Sequence, residues 1–317
     1  MKKKVLKFFS LLLVMFLLGA CSLNSPADSD SSSGNEGNGE GGDSSETKTI
    51  GLSVSTLNNP FFVTLRDGAE AKAKELGLEI TTADAQDDPA KQVSDIEDLI
   101  QQGVDLLIIN PTDSAAIVSA IESANNANIP VITVDRSAEG GEVVAHIASD
   151  NVAGGKMAGE LIVEKLGGSG KVVELEGIPG SSAARERGQG FNEAVGAADG
   201  IEVVAKQTAN FDRAEGLSVM ENIIQSTPDF QAVFAHNDEM ALGAIEALQA
   251  AGMTDVIVVG FDATDDAVAA VGEGRMLATV AQKPEQIGAM GVETAQKVLS
   301  GESVEDFIPV ELELVTE

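Results

Sequence analysis

From Thr49 onward, short runs of aliphatic and β-branched residues alternate with longer segments whose apolar residues recur at helical spacing. TIGLSV, EITT, LLII, VITV and VVAHI read as strands, and FFVTLRDGAEAKAKELG, between the first two, reads as an amphipathic helix. After about Ser149 the pattern restarts with KVVELEG, IEVVA, AVFA, VIVVG and LATVA, again with helices between. Such alternation predicts an α/β fold of parallel sheets covered on both faces, and two runs of it predict two lobes. Asn59 before Pro60 and Asp88 before Pro89 are helix-start signals, and Gly77 and Gly103 are helix stops.

Two stretches share one layout: an apolar strand ending in Asn, a helix, then an apolar strand ending in Asp. The first places Asn110 before Asp135 and the second Asn237 before Asp262, each pair 25 positions apart. Ligands of open parallel sheets bind beyond the carboxyl ends of the strands, so these residues are candidates for a cleft between the lobes. The same residues also suit helix capping, and for any one of them the pattern leaves both readings open.

Composition changes the picture at the N-terminus. Lys2, Lys3, Lys4 and Lys7 lead into an apolar run from Phe8 to Ala20, which reads as a secretory signal peptide over residues 1–20. Cys21, the only cysteine, follows it directly, either as an unpaired thiol of the core or as a processing site. Residues 21–48 are mostly Ser, Gly, Asn, Asp and Glu, a composition expected to form a disordered tether. The formal charge of −31 argues against nucleic acid as a partner and keeps the chain soluble.

The candidate chemistry is polar and aromatic together. Phe61, Phe62, Phe211 and Phe261 fall at or near strand-end loops beside Asn59, Asp212 and Asp262; Arg136 follows Asp135, and Arg187 lies in SSAARERGQGF. Guanidinium, carboxylate and amide groups with ring faces suit a polyhydroxylated ligand, whose hydroxyls donate and accept while its C–H face lies on an aromatic ring. Enzymatic signatures are missing: GGSGK leads into a strand where a phosphate loop would leave one, GIPGSSA lacks the nucleophile elbow, and no Gly-x-Gly-x-x-Gly follows a strand. His146 and His236 have no second metal ligand at useful spacing, so no metal and no cofactor are expected.

VSTLNNPFF, INPTDS, IPVITVDR, HIASDN, SAARERG, FDR, NDEMALGA, VVGFD and the final Gln-x-Pro-x-Gln-Ile-Gly, in that order, closely resemble the bacterial ribose-binding proteins of ABC sugar importers. The resemblance implies two doubly wound lobes of the type I periplasmic-binding-protein kind, joined by a three-segment hinge. It places one lobe at 49–149 plus 283–311 and the other at 150–282 plus 312–317. It carries polar ligand contacts to Asn59, Asp135, Arg136, Arg187, Asn237, Asp262 and Gln282, and stacking contacts to Phe61, Phe62 and Phe211. Leu18-Gly19-Ala20-Cys21 resembles a bacterial lipobox, which implies cleavage before Cys21 and a lipid on its sulfur.

The expectation is therefore a monomeric extracytoplasmic lipoprotein of the Gram-positive type, anchored to the cell membrane. It captures D-ribose, with a related monosaccharide such as allose as the alternative, and delivers it to an ABC permease and its ATPase. A sugar-responsive regulator would need a helix-turn-helix where this chain has its signal and tether. A sugar-modifying enzyme would have to use Asp135 and Asp262 as an acid and base pair.

Overall fold

The computed structural model describes residues 47–317. The signal peptide, Cys21 and the tether up to residue 46 lie outside the described residues. The first run of elements is β1 (Thr49–Val54), α1 (Pro60–Leu76), β2 (Glu79–Asp84), α2 (Pro89–Gln102), β3 (Leu106–Ile109), α3 (Val118–Asn126), β4 (Val131–Val134) and β5 (Ala145–Ser149). The chain then crosses into a second run: α4 (Asn151–Lys165), β6 (Ser169–Glu176), α5 (Ser182–Gly196), β7 (Gly200–Thr208), α6 (Arg213–Ser226), β8 (Ala232–Ala235), α7 (Asp238–Ala250), β9 (Ile257–Asp262), α8 (Asp265–Gly272) and β10 (Ala278–Ala281). It returns through α9 (Pro284–Leu299) and β11 (Phe307–Val310), and ends in β12 (Glu313–Thr316).

The strands form two sheets of six, ordered β11-β5-β4-β3-β1-β2 and β12-β10-β9-β8-β6-β7. Every pairing is parallel except β10 with β12. The α/β class and the two lobes read from the pattern are thus what the chain forms. In the first sheet α1 and α9 cover one face, around Leu52, Ile108 and Ile287, while α2 and α3 cover the other, around Ile96, Ile109 and Ile121. Burial on both faces is why strands such as LLII are apolar throughout and do not alternate. In the second sheet α4 and α5 pack on one face and α6, α7 and α8 on the other.

Local punctuation sits where the sequence put it. Asn59 accepts the Phe61 N–H, Asp88 accepts those of Ala90 and Lys91, and Gly77 and Gly103 close their helices at φ of 70° and 78°. The strand pattern did not single out β11 and β12. The first is a four-residue piece containing Pro309, tolerated because β11 is an edge strand paired only with β5. The chain passes between the sheets three times: from β5 to α4, from β10 to α9, and from β11 to β12.

Helix α5 carries Arg187 and lies directly on α4 at Gly155, where a Cβ would strike the backbone carbonyl of Arg187. A side chain there has no flexible neighbour to displace, so overpacking should dominate. Gly155→Val is expected to lower stability by about 1–3 kcal/mol, read as a lower urea midpoint; an unchanged midpoint contradicts this packing.

Candidate functional site

The carboxyl ends of both sheets meet at one small cavity. Asn59, Phe61, Phe62, Asp135, Arg136, Ala183, Arg187, Phe211, Asn237, Asp262 and Gln282 line it. All ten residues read from the sequence are brought together, with Ala183 added. Ala183 stands one helical turn before Arg187 on α5, a spacing that could have signalled it. A larger open groove lined by Pro60, Thr64, Asp265, Lys283 and Glu285 adjoins the cavity and shares Phe61 and Asp262 with it. None of its lining residues has a buried polar atom without a partner, so the smaller cavity is the better candidate.

Each lobe supplies an aspartate at a strand end. Asp135 follows β4 at φ 61° and Asp262 ends β9 at φ 120°, conformations that turn both side chains out of the strand direction. Each faces a buried arginine: Arg136 Nε stands 3.6 Å from Asp135 Oδ2, and Arg187 Nη1 stands 3.6 Å from Asp262 Oδ1. Both arginines are 3 % exposed. Arg136 lies 5.0 Å from the Phe62 ring centre and 5.1 Å from that of Phe211, one ring from each lobe. Arg187 lies over Phe261 at 3.9 Å and donates to Asn151 Oδ1 and the His236 carbonyl at 2.9 and 2.7 Å. Phe261 is thus a floor beneath Arg187 and does not line the cavity.

The Asn–Asp repeat diverges in use. Asn110 is fully buried outside the cavity lining, where its Nδ2 donates to Asp135 Oδ2 at 3.1 Å and to the Val134 carbonyl, and its Oδ1 accepts the Ser55 N–H. Asn237 lines the cavity, caps α7 through the Met240 N–H, and donates to the Phe211 carbonyl. Capping and cavity lining are therefore not alternatives for Asn59 and Asn237: both do both.

Three buried polar atoms of the lining, Asp135 Oδ1, Arg136 Nε and Gln282 Oε1, have no hydrogen-bond partner in the protein. Leaving such groups unpaired costs about 1–3 kcal/mol each, so the cavity presents open positions to a hydrogen-bonding ligand. Burial pushes the Asp262 carboxyl well above the usual carboxylate range; Arg187 opposes the shift and Asp238 adds to it. Burial also depresses Arg136, against the pull of Asp135.

Behind Arg187 lies a buried pair. His236 Nδ1 accepts the Gly177 N–H, so the ring proton sits on Nε2 and is donated to Glu174 Oε1 at 3.0 Å. Burial pushes Glu174 up, but His236, Asn192 and Lys206 outweigh it and hold the carboxyl below its ordinary value. Among the described residues no group of three or more His, Cys, Asp or Glu is placed to hold a metal.

Residues 50–303 match the periplasmic binding protein domain family. The ribose import binding protein RbsB of Escherichia coli K12 is 59% identical over 84% of this chain and 90% of its own length. That of Bacillus subtilis 168 is 54% identical over 97% of each. A crystal structure of an ABC transporter solute-binding protein from Bacillus halodurans C-125, with bound myo-inositol, superposes with a TM-score of 0.81 at 37% identity, covering 85% of this chain and 94% of that one.

Burial lowers His236 below its ordinary 6.5 despite the Glu174 bond. Nitrogen NMR should therefore find the His236 ring mostly neutral at pH 6.5, with its proton on Nε2. A ring half-protonated at 6.5 contradicts the buried-pair geometry.

Proposed function

The chain belongs to the periplasmic binding protein domain family, and from that premise we propose that it captures D-ribose outside the cytoplasm and delivers it to an ABC importer. The observation that carries the reading is the convergence, from both lobes, of unpaired buried polar atoms and phenylalanine faces on one small cavity. Relatives named for ribose at 59% and 54% identity, against 37% for the myo-inositol complex, favour ribose over other ring polyols. Ligand contacts are assigned to the ten residues named from the sequence, and the lobes to 49–149 plus 283–311 and 150–282 plus 312–317. The membership of the two sheets supports that division.

Each buried arginine of the cavity faces an aspartate, Arg136 beside Asp135 and Arg187 beside Asp262. A neutral sugar adds no charge to these pairs, whereas a sugar phosphate would bring an uncompensated anion into a protein of net charge −31. The relatives are named as import binding proteins, which supports reading the site as one for binding without a chemical step. Direct bonds also join the lobes: Ser114 N–H to the Gly180 carbonyl, Ser137 N–H to Ser182 Oγ, and Arg185 to Glu139 at 2.8 Å. A ligand touching both lobes adds to these and favours the closed state through contacts an open state cannot make.

Calorimetry of the full chain with ribose, allose, 2-deoxyribose and ribose 5-phosphate tests the reading. Ribose should bind most tightly, and 2-deoxyribose far more weakly because a group built for the missing hydroxyl stays unpaired. Arg187→Ala strips a buried carboxylate of its partner, a cost of about 2–5 kcal/mol, and should weaken ribose about thirtyfold or more. Arg66→Ala alters only surface pairs with Asp67 and Glu70 and should leave affinity unchanged. Equal affinities for the two sugars or the two variants refute the site, and recovery of a modified sugar refutes the non-catalytic reading.

We further propose that Cys21 carries a lipid that holds the protein at the outer face of the cell membrane, on the strength of Leu18-Gly19-Ala20-Cys21 and the polar tether. Cys21→Ser is expected to shift the protein from the membrane fraction to the medium or to an uncleaved precursor. Unchanged mature protein that still needs detergent for extraction would defeat the assignment.

A further inference from the structure

Asp238 opens α7 beside the cavity residue Asn237, is fully buried, and does not line the cavity. Its Oδ1 accepts the Thr279 hydroxyl at 2.7 Å, and its Oδ2 accepts the Thr264 N–H at 2.8 Å and the Thr264 hydroxyl at 3.2 Å. Thr279 Oγ1 in turn accepts the Ala263 N–H at 3.1 Å. The anchors hold the backbone just beyond Asp262 and Ala263, two non-glycine residues at φ 120° and 54°. Such conformations persist only where the surroundings over-determine them. The strand makes room for the acid: at Gly260 a Cβ would strike Asp238 Oδ1.

We propose that Asp238 is a positioning residue for ligand capture, clamping the loop after β9 so that the Asp262 carboxylate is aimed at Arg187 and the cavity. Every contact it makes is with a donor, so a carboxylate is the group that fits; an amide would turn an NH₂ toward one of them. The other lobe solves the same problem differently, since Asn110 grips Asp135 through a neutral amide. The second lobe thus brings an extra negative charge beside its ligand-facing acid.

That charge gives the role a signature that mere structural support lacks. Asp262 is faced by Arg187 from α5, by Arg136 and Asp135 from the end of β4, by Asp238 from α7, and by the neutral Gln282 after β10. Burial pushes Asp238 up to about 7, with Thr279 and Thr264 pulling it back, and the two acids titrate as a pair. Removing Asp238's charge lowers the proton affinity of Asp262, so the carboxylate survives to a lower pH.

The inference rests on the sugar-binding reading, and the experiment separates the two. In the full chain without sugar, carbon NMR should show the Asp262 carboxyl titrating at lower pH in Asp238→Asn than in the wild type. An unchanged midpoint overturns the proposal whatever sugar binds. With ribose at pH 7, Asp238→Asn and Thr279→Val should each bind about tenfold or more weakly, and Thr279→Ser should restore binding. Wild-type affinity in either weakened variant overturns the proposal. If Asp238→Asn does not fold, the Thr279→Val and Thr279→Ser pair decides. If the wild type itself ignores ribose, the functional reading fails and the NMR titration decides the role of Asp238.

Discussion

Two arginine side chains are held almost wholly out of water at the meeting of the lobes, and much of the surrounding structure serves to make that tolerable. An unpaired buried charge costs more than a domain can spare from a net stability of about 5–15 kcal/mol. Each guanidinium therefore has a carboxylate at 3.6 Å and ring faces between 3.9 and 5.9 Å. The positive φ of Asp135 and Asp262, the close crossing of α4 and α5, and the carbonyl of His236 all bear on the placement of those two groups. The ligand chemistry is the residue of this arrangement, namely the lone pairs and N–H groups that the arginine–aspartate pairs leave unused.

Much of the fold was open to reading because its signals are local. LLII, VITV and AVFA are strands buried on both faces and announce themselves by continuous apolarity; Asn59 and Asp88 announce helix starts by chemistry that acts within three residues. The last two strands were not legible in the same way. FIPV contains a proline and is half exposed, and what makes it a strand is its partner β5, some 160 positions away.

The site followed the same division. The types of its lining residues, Asn, Asp, Arg and Phe at strand ends, were visible, and the order of motifs gathered them. The symmetry of the two Asn–Asp units suggested equal roles, and there the chain departs from its own repeat. Asn110 works behind Asp135, whereas Asn237 fronts the cavity and hands the supporting task to the next residue. One-residue differences of this kind depend on which side of a helix start faces the sheet, and no periodicity carries that information. Ala183 escaped notice for a simpler reason: a methyl group has no chemistry to advertise, and only its place one turn before Arg187 could have pointed to it.

The passage from β11 to β12 has a mechanical consequence. Val310 is fixed in the first sheet by pairing with Ser149, and Glu313 in the second by pairing with Ala281, with only Glu311 and Leu312 between them. A residue of chain spans at most about 3.3–3.6 Å, so at this point the lobes cannot be drawn apart or slid past each other by more than a few ångströms. Translation is removed from their degrees of freedom and rotation about a short axis is left. The cleft is therefore geared like a book and not like a drawer: small angular changes at the spine become larger displacements at Ser137 and Ser182 on the facing pages.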